Sequence, residues 1–420
     1  MKAGFAEIVI TPKDGKCFLA GYGGPWSTGV HDDLYASAVY LEEGDTKAIL
    51  MSLDLIGMRA DLVARMKGCV QRGADVDTDN IFFTCTHTHE GPDTMGLAGV
   101  SGEEDAKQRD TQKAYSDFLG KQVEQVSREA ASVAQDCELM VNRAFVDENM
   151  NRRFFFPNGQ SRYIPSYKDL VPIAYGHADK ELGMLYFCPV GDKHPFGMIV
   201  NYTMHPLTAG NTTTLISADV PGVVRDLVKE GMQCPTCYIT GAAGTNHPKA
   251  PEGGFAETRR VGGVLATEAI KRRWDAASLE GPLALKCLTR SVTLKYRTRE
   301  QVDAFPTTSQ FAKRKDRFME LVPEPGGDVE VPFSLLAIGP LLFIGVPGEL
   351  SAELGSVLKW SSPFRITYVM FVATDWLGYI VHPNAYKWGG YEPFVGMLSP
   401  ASVRPLMNAI IDAAEELAAS

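Results

Sequence analysis

The sequence predicts an α/β fold in which flanking helices cover a mixed, largely parallel sheet. Short apolar runs of strand length, stretches with apolar residues at helical spacing, and the alternation of the two along 420 residues carry that expectation. A composition of 45% apolar and 22% charged residues suits a large buried core and excludes disorder, collagen and coiled coil. No repeat, low-complexity stretch or Pro/Gly/Ser linker divides the chain, so residues 1–420 are expected to form one domain.

Residues 48–54 read as a buried strand, 58–70 carry apolar residues at helical spacing, and 81–86 form a second apolar run. Strand, helix, strand within some forty residues marks a parallel crossover. Residues 108–135 read as a mostly polar helix whose buried stripe is Tyr115, Phe118, Val123 and Val126. The strand–helix pattern returns at 196–202, followed by a helix from near Asp219 with Pro221 in its first turn, and at 237–240, followed by a helix over 255–274. Residues 286–297 alternate, with Leu288, Val292 and Leu294 on one face, and predict an antiparallel strand that makes the sheet mixed. A strand at 341–346 is expected to lead into a helix near Pro347; 367–373 is the last strand and 401–418 a closing amphipathic helix.

A net charge of −10 disfavours a nucleic-acid role, and Lys271-Arg272-Arg273 and Lys313-Arg314-Lys315 read as solvated helix faces. No window approaches the ~18 apolar residues of a membrane helix. Glu7 interrupts what would be a signal peptide, so a cytoplasmic location is expected, with a small-molecule substrate and no membrane insertion. The eight cysteines, several inside apolar runs, read as buried free thiols, and Cys234 and Cys237 as two thiols at the start of a strand.

In open α/β sheets ligands bind beyond the carboxyl ends of the strands. The residues there are Thr86-His87-Thr88-His89-Glu90, Met204-His205-Pro206, Gly244-Thr245-Asn246-His247-Pro248, Pro347-Gly348-Glu349 and Asp375-Trp376-Leu377-Gly378-Tyr379. His87 and His89, two apart on an extended segment, would share a face and could share a cation. Imidazoles and a carboxylate together supply the nitrogen and oxygen ligands of a catalytic zinc with one position open. The metallo-β-lactamase pattern fails, because Gly91-Pro92 stand where it needs Asp-His. A barrel amidohydrolase would need eight regular strand–helix units, which the sequence does not show.

At these residues the chain resembles the catalytic domain of the neutral/alkaline non-lysosomal ceramidase family, as a short, divergent member. The resemblance runs in order through Ile8-Val9-Ile10-Thr11-Pro12, Gly21-Tyr22-Gly23, Ser52-Leu53-Asp54-Leu55, Thr86-His87-Thr88-His89 with Gly91-Pro92, and Asn149-Met150-Asn151-Arg152. It continues through Thr214-Leu215-Ile216-Ser217-Ala218-Asp219, Pro347-Gly348-Glu349, and Tyr379-Ile380-Val381 to Tyr391-Glu392.

The resemblance implies one zinc held by His87, His205, Glu349 and Tyr379, with His89 and Arg152 facing the scissile amide. Zinc would activate water and polarise the carbonyl, Arg152 or its neighbour Arg153 would steady the oxyanion, and His89 would move protons. The chain departs from the family where Gly-Asp-x-Ser-Pro-Asn carries the active-site serine; here stand Gly244-Thr245-Asn246-His247-Pro248. Direct attack by water without an acyl-enzyme is therefore expected, with Thr245 as the alternative nucleophile or oxyanion donor and His247 as its base. The family's C-terminal immunoglobulin-like domain is not expected in a chain of this length. The expected activity is hydrolysis of an amide smaller than ceramide, the alternatives being an esterase or lactonase on the same site, another divalent metal such as iron or manganese, or a non-catalytic metal-binding homologue.

Overall fold

Hairpins organise the first half of the chain and crossovers its edges. The computed structural model describes residues 1–21, 23–97, 103–156, 161–163, 174–279, 281–305 and 315–420. Tyr22, Lys313 and Arg314 lie outside the described residues. The main sheet contains β1 (Lys2–Val9), β2 (Tyr35–Glu43), β3 (Thr46–Leu53), β4 (Ile81–Cys85), β5 (Gln135–Phe145), β6 (Glu181–Pro189), β7 (Gly197–Tyr202) and β8 (Thr236–Thr240). It is nine-stranded, in the order β8-β7-β6-β5-β1-β2-β3-β4, with the short strand Ala277–Ser278 paired to β5.

The mixed sheet with flanking helices is as expected, but its balance is not. Only the two edge pairs, β3 with β4 and β7 with β8, are parallel; β1, β2, β5 and β6 pair antiparallel with their neighbours. The crossover units legible in the sequence are these edges, each spanned by one helix, α1 (Ala60–Ala74) and α3 (Asp219–Met232). Between them, a tight connection through Gly44 (φ 58°) returns β2 directly into β3. Strand β5 hides its role by being half exposed along its length.

A second sheet consists of β9 (Leu285–Lys295), β10 (Asp328–Ile338), β11 (Leu341–Gly345) and β12 (Ile366–Met370), antiparallel except for β11 with β12. The alternation at 286–297 thus marks an antiparallel strand, as expected. Leu50, Phe82, Leu185, Phe187 and Ile239 of the main sheet pack against Leu336, Ile338, Phe343 and Met370 of the second. Burial of each such side chain is worth roughly 1.5–3 kcal/mol.

Helix α1 and the long α2 (Glu103–Ser132) cover one outer face through Met66, Val70, Leu119, Val123 and Val126. Helix α3 and α4 (Phe255–Lys271) cover another through Val220, Val224, Val261 and Leu265. Helices α5 (Ala352–Ser361) and α6 (Val403–Ala419) pack on the second sheet. The helix expected near Pro347 begins only at Ala352, because Glu349–Leu350 is first drawn out as a short parallel strand beside Tyr379–Ile380.

All eight cysteines are unpaired, and seven are buried. Lys271 and Arg272 pair with Glu268 at the surface, whereas Arg273 is buried against His194 and Trp274 instead of solvated. Among the described residues no helix is long and apolar enough to cross a membrane.

The strand ends that carry the polar residues are tied together. The Thr84 hydroxyl donates to the Phe371 carbonyl, the Thr240 hydroxyl to the Thr86 carbonyl, and the Phe371 amide to the Thr240 carbonyl. The carboxyl ends of β4, β8 and β12 therefore meet at one point, although they come from two sheets.

Candidate metal centre

His87 follows β4 after one residue and sits in the left-handed region, at φ 72°. Such a conformation costs a non-glycine residue about 1–2 kcal/mol and persists only where the surroundings hold it. Its amide donates to Leu55 O at 2.9 Å, and its Nδ1 faces the carbonyl of Ile56. Nδ1 is then the protonated nitrogen, leaving Nε2 as the outward lone pair. His205, beyond β7, repeats the device: its Nδ1 donates to Ala243 O at 2.7 Å. The expected shared face of His87 and His89 is reached through this backbone kink and not through a regular extended strand.

The two Nε2 atoms converge on one carboxylate oxygen. Glu349 Oε2 lies 3.3 Å from His87 Nε2 and 3.2 Å from His205 Nε2. Ligands at ~2.0–2.1 Å around a tetrahedral zinc stand about 3.3 Å apart, so the donor set fits a cation of that size. His89 completes a group in which one ring nitrogen from each of His87, His89 and His205 lies within 4.8 Å of the other two. His87 and His205 are buried, and His89 is partly exposed as a residue although its Nε2 is buried.

Burial, helped by the nearby Arg152 charge, pushes the His205 imidazole down to about 4. Burial and the two neighbouring imidazoles hold His89 well below its usual range. Neutral imidazoles are the ligand form. Burial pushes the Glu349 carboxyl up, but the imidazoles beside it leave it well below the ordinary carboxylate range, and so ionised.

Tyr379 Oη stands 3.5 Å from His205 Nε2, and the two ring planes are nearly parallel, at 9°. Burial pushes its phenol well above the usual value, against the pull of Arg152. Arg152 Nη2 donates to Tyr379 Oη at 2.9 Å and to Gly244 O at 3.1 Å. A surface salt bridge, the ordinary role of such an arginine, is excluded by its burial. Its Nε donates to Glu392 Oε1 at 2.7 Å, while Arg153 Nη1 takes Glu392 Oε2 at 2.9 Å. One buried carboxylate thus anchors both guanidinium groups, and Arg152 is the one turned to the imidazole cluster.

Thr245 is buried in this neighbourhood, with its hydroxyl committed elsewhere. Thr245 Oγ1 accepts from Ala352 N at 3.1 Å and Asn151 Nδ2 at 3.2 Å, and donates to Glu353 Oε2 at 3.3 Å. It fastens the 244–248 loop to the start of α5. A side chain at Gly244 would collide with the Glu349 carbonyl, so the loop passes Glu349 at backbone contact. His247 lies on the short strand Asn246–Pro248, which pairs antiparallel with Asn149–Asn151. Burial and the charges of Arg152 and His205 push its imidazole down to about 3.

The structure therefore brings together His87, His89, His205, Glu349, Tyr379 and Arg152. Two residues had no role in the sequence reading. Glu392 fixes the arginines, and Trp376 donates its Nε1 to Glu349 Oε1 at 2.9 Å. Neither has a periodic or spacing signal; Trp376 stands three residues before Tyr379, and Glu392 was visible only inside a longer motif.

No family model matches the chain, and no curated protein matches it significantly in sequence. Solved structures do match in three dimensions. The crystal structure of neutral ceramidase from Pseudomonas aeruginosa superposes with a TM-score of 0.76 at 17% identity, covering 98% of this chain and 74% of that one. A ceramidase complexed with C2 gives a TM-score of 0.73 at 16% identity, with the same coverage. The chain has the mixed α/β fold of the neutral ceramidases, with a three-histidine cluster that could hold a metal ion at its strand ends.

Proposed function

We propose that the protein is a zinc-dependent hydrolase that cleaves an amide C–N bond in a substrate smaller than ceramide. The observation that carries this reading is the convergence of His87 Nε2 and His205 Nε2 on Glu349 Oε2, at 3.3 and 3.2 Å, beside the Arg152–Tyr379 pair. The ceramidase fold supports the reaction class.

His87, His205 and Glu349 hold the cation, and Tyr379 is its fourth protein ligand. A bound zinc supplies a Lewis acid for the carbonyl and a water activated at neutral pH. Arg152 sets its fixed positive charge toward the carbonyl oxygen as that oxygen gains charge. Its ion pair with Glu392 sets that direction beforehand, so little reorganisation is needed. His89, buried enough to stay neutral, takes a proton and returns it to the leaving nitrogen. Thr245 has no part as nucleophile, because its hydroxyl is spent on Ala352, Asn151 and Glu353.

The test is a panel of N-acyl amines, esters and lactones of increasing size, assayed with metal-depleted and zinc-reloaded protein. Zinc-restored cleavage of short N-acyl compounds supports the reading. Cleavage of esters or lactones alone moves the activity to another bond, and cleavage that survives metal removal removes its basis.

A further inference from the structure

We propose that Trp376 is a positioning residue that makes Glu349 a one-oxygen ligand and so keeps a coordination position open. The inference rests on the metal-site reading above and concerns how the site is held. The two oxygens of Glu349 have separate tasks. Oε1 accepts the Trp376 indole N–H at 2.9 Å, while Oε2 faces His87 and His205. A carboxylate with neither oxygen anchored can turn and chelate a cation through both, which fills one more position. An indole nitrogen is a donor only, so it holds Oε1 without competing for the metal.

The indole itself is fixed on its other sides. Trp376 is buried, its amide bonds Asp375 Oδ1 at 2.7 Å, and that oxygen also accepts Ala60 N, at 2.9 Å, at the start of α1. The Arg59 guanidinium lies over the indole ring, 5.4 Å from its centre. Glu349 is thereby oriented through Trp376 by the first turn of α1, and not only by its own short strand.

The test compares wild type with Trp376→Phe, which keeps an aromatic ring and removes the N–H. Zinc affinity is measured by competition with a chromophoric chelator, and coordination by the visible absorption of the cobalt(II)-loaded protein. The expected result is a zinc affinity lower by ~10–100-fold, with weaker cobalt bands as a second carboxylate oxygen joins the metal. Equal affinity and an unchanged cobalt spectrum overturn the inference and leave the metal site standing. A wild type that takes up neither metal overturns the metal-site reading and this inference with it.

A second measurement uses the wild type alone and does not depend on the variant folding. Of the five tryptophans, Trp376 is the buried one, Trp26 is half-buried, and Trp274, Trp360 and Trp388 are exposed. In indole-15N-labelled, zinc-loaded protein one indole N–H should remain strongly protected from hydrogen exchange. Loss of that protection on adding zinc means that Oε1 has left the indole for the metal, and overturns the inference.

Discussion

Arg152 Nη2 donates to the phenol oxygen of Tyr379 at 2.9 Å, which places a fixed positive charge against a hydroxyl that burial alone would keep protonated. The tyrosine thus stands between a guanidinium on one side and His205 on the other, at 3.5 Å. Both a cation at the cluster and Arg152 favour its phenolate. The pair joins the middle and last thirds of the chain at the site.

Tyr379→Phe should retain a metal on its remaining ligands and lose turnover by ~10–100-fold. Metal content and kcat measured on the same preparation check this. Wild-type values for both mean that Tyr379 is not a ligand, and Tyr391, whose ring lies 5.5 Å away, becomes the candidate.

Glu392→Gln should be the most destabilising change at the site. It leaves Arg152 and Arg153 buried without their shared carboxylate, a loss of the order of 3–5 kcal/mol. Denaturant unfolding measures it. The pH dependence has a defined sign: burial pushes the Glu392 carboxyl up, but the two arginines outweigh it and hold it below its ordinary value. The stabilisation is therefore present above about pH 4.5 and is lost as pH falls through the lower folded value. A variant as stable as wild type at pH 7 contradicts this account.

His89→Ala should keep the metal and turn over ~10²–10⁴-fold more slowly, through loss of proton transfer. Because its ring nitrogen lies within 4.8 Å of those of His87 and His205, metal loss is the informative alternative. A metal-free His89→Ala makes His89 a ligand and passes proton transfer to another group, with His247 nearest in kind.

Thr245→Ala should keep measurable turnover and lose about 1 kcal/mol or slightly more of stability, because Ala352 N and Asn151 lose their acceptor. A covalent acyl adduct on Thr245, detected by mass spectrometry, runs against this outcome and restores an acyl-enzyme.

The parts of this fold legible in the sequence are those with strong local signals. The apolar runs ending at Cys85, Tyr202 and Thr240, and the helices α1, α3 and α4 around them, stand out by period alone. The antiparallel middle did not, because β1 and β5 are half exposed and mix polar with apolar positions. That is why parallel pairing seemed to dominate. At the site, His87, His205 and Glu349 were legible because each follows a strand end. Their convergence depends on contacts between two sheets, such as Thr84 with Phe371, which no spacing encodes. Trp376 and Glu392 act through other side chains, and such roles leave no pattern in one sequence.

Elemental analysis of protein purified without added metal or chelator decides whether the imidazole cluster holds a cation. About one equivalent of a transition metal per chain, zinc foremost, is expected, as is its loss in His205→Ala. A small fraction of an equivalent in the wild type, or a full equivalent that survives His205→Ala, would contradict the metal-site reading.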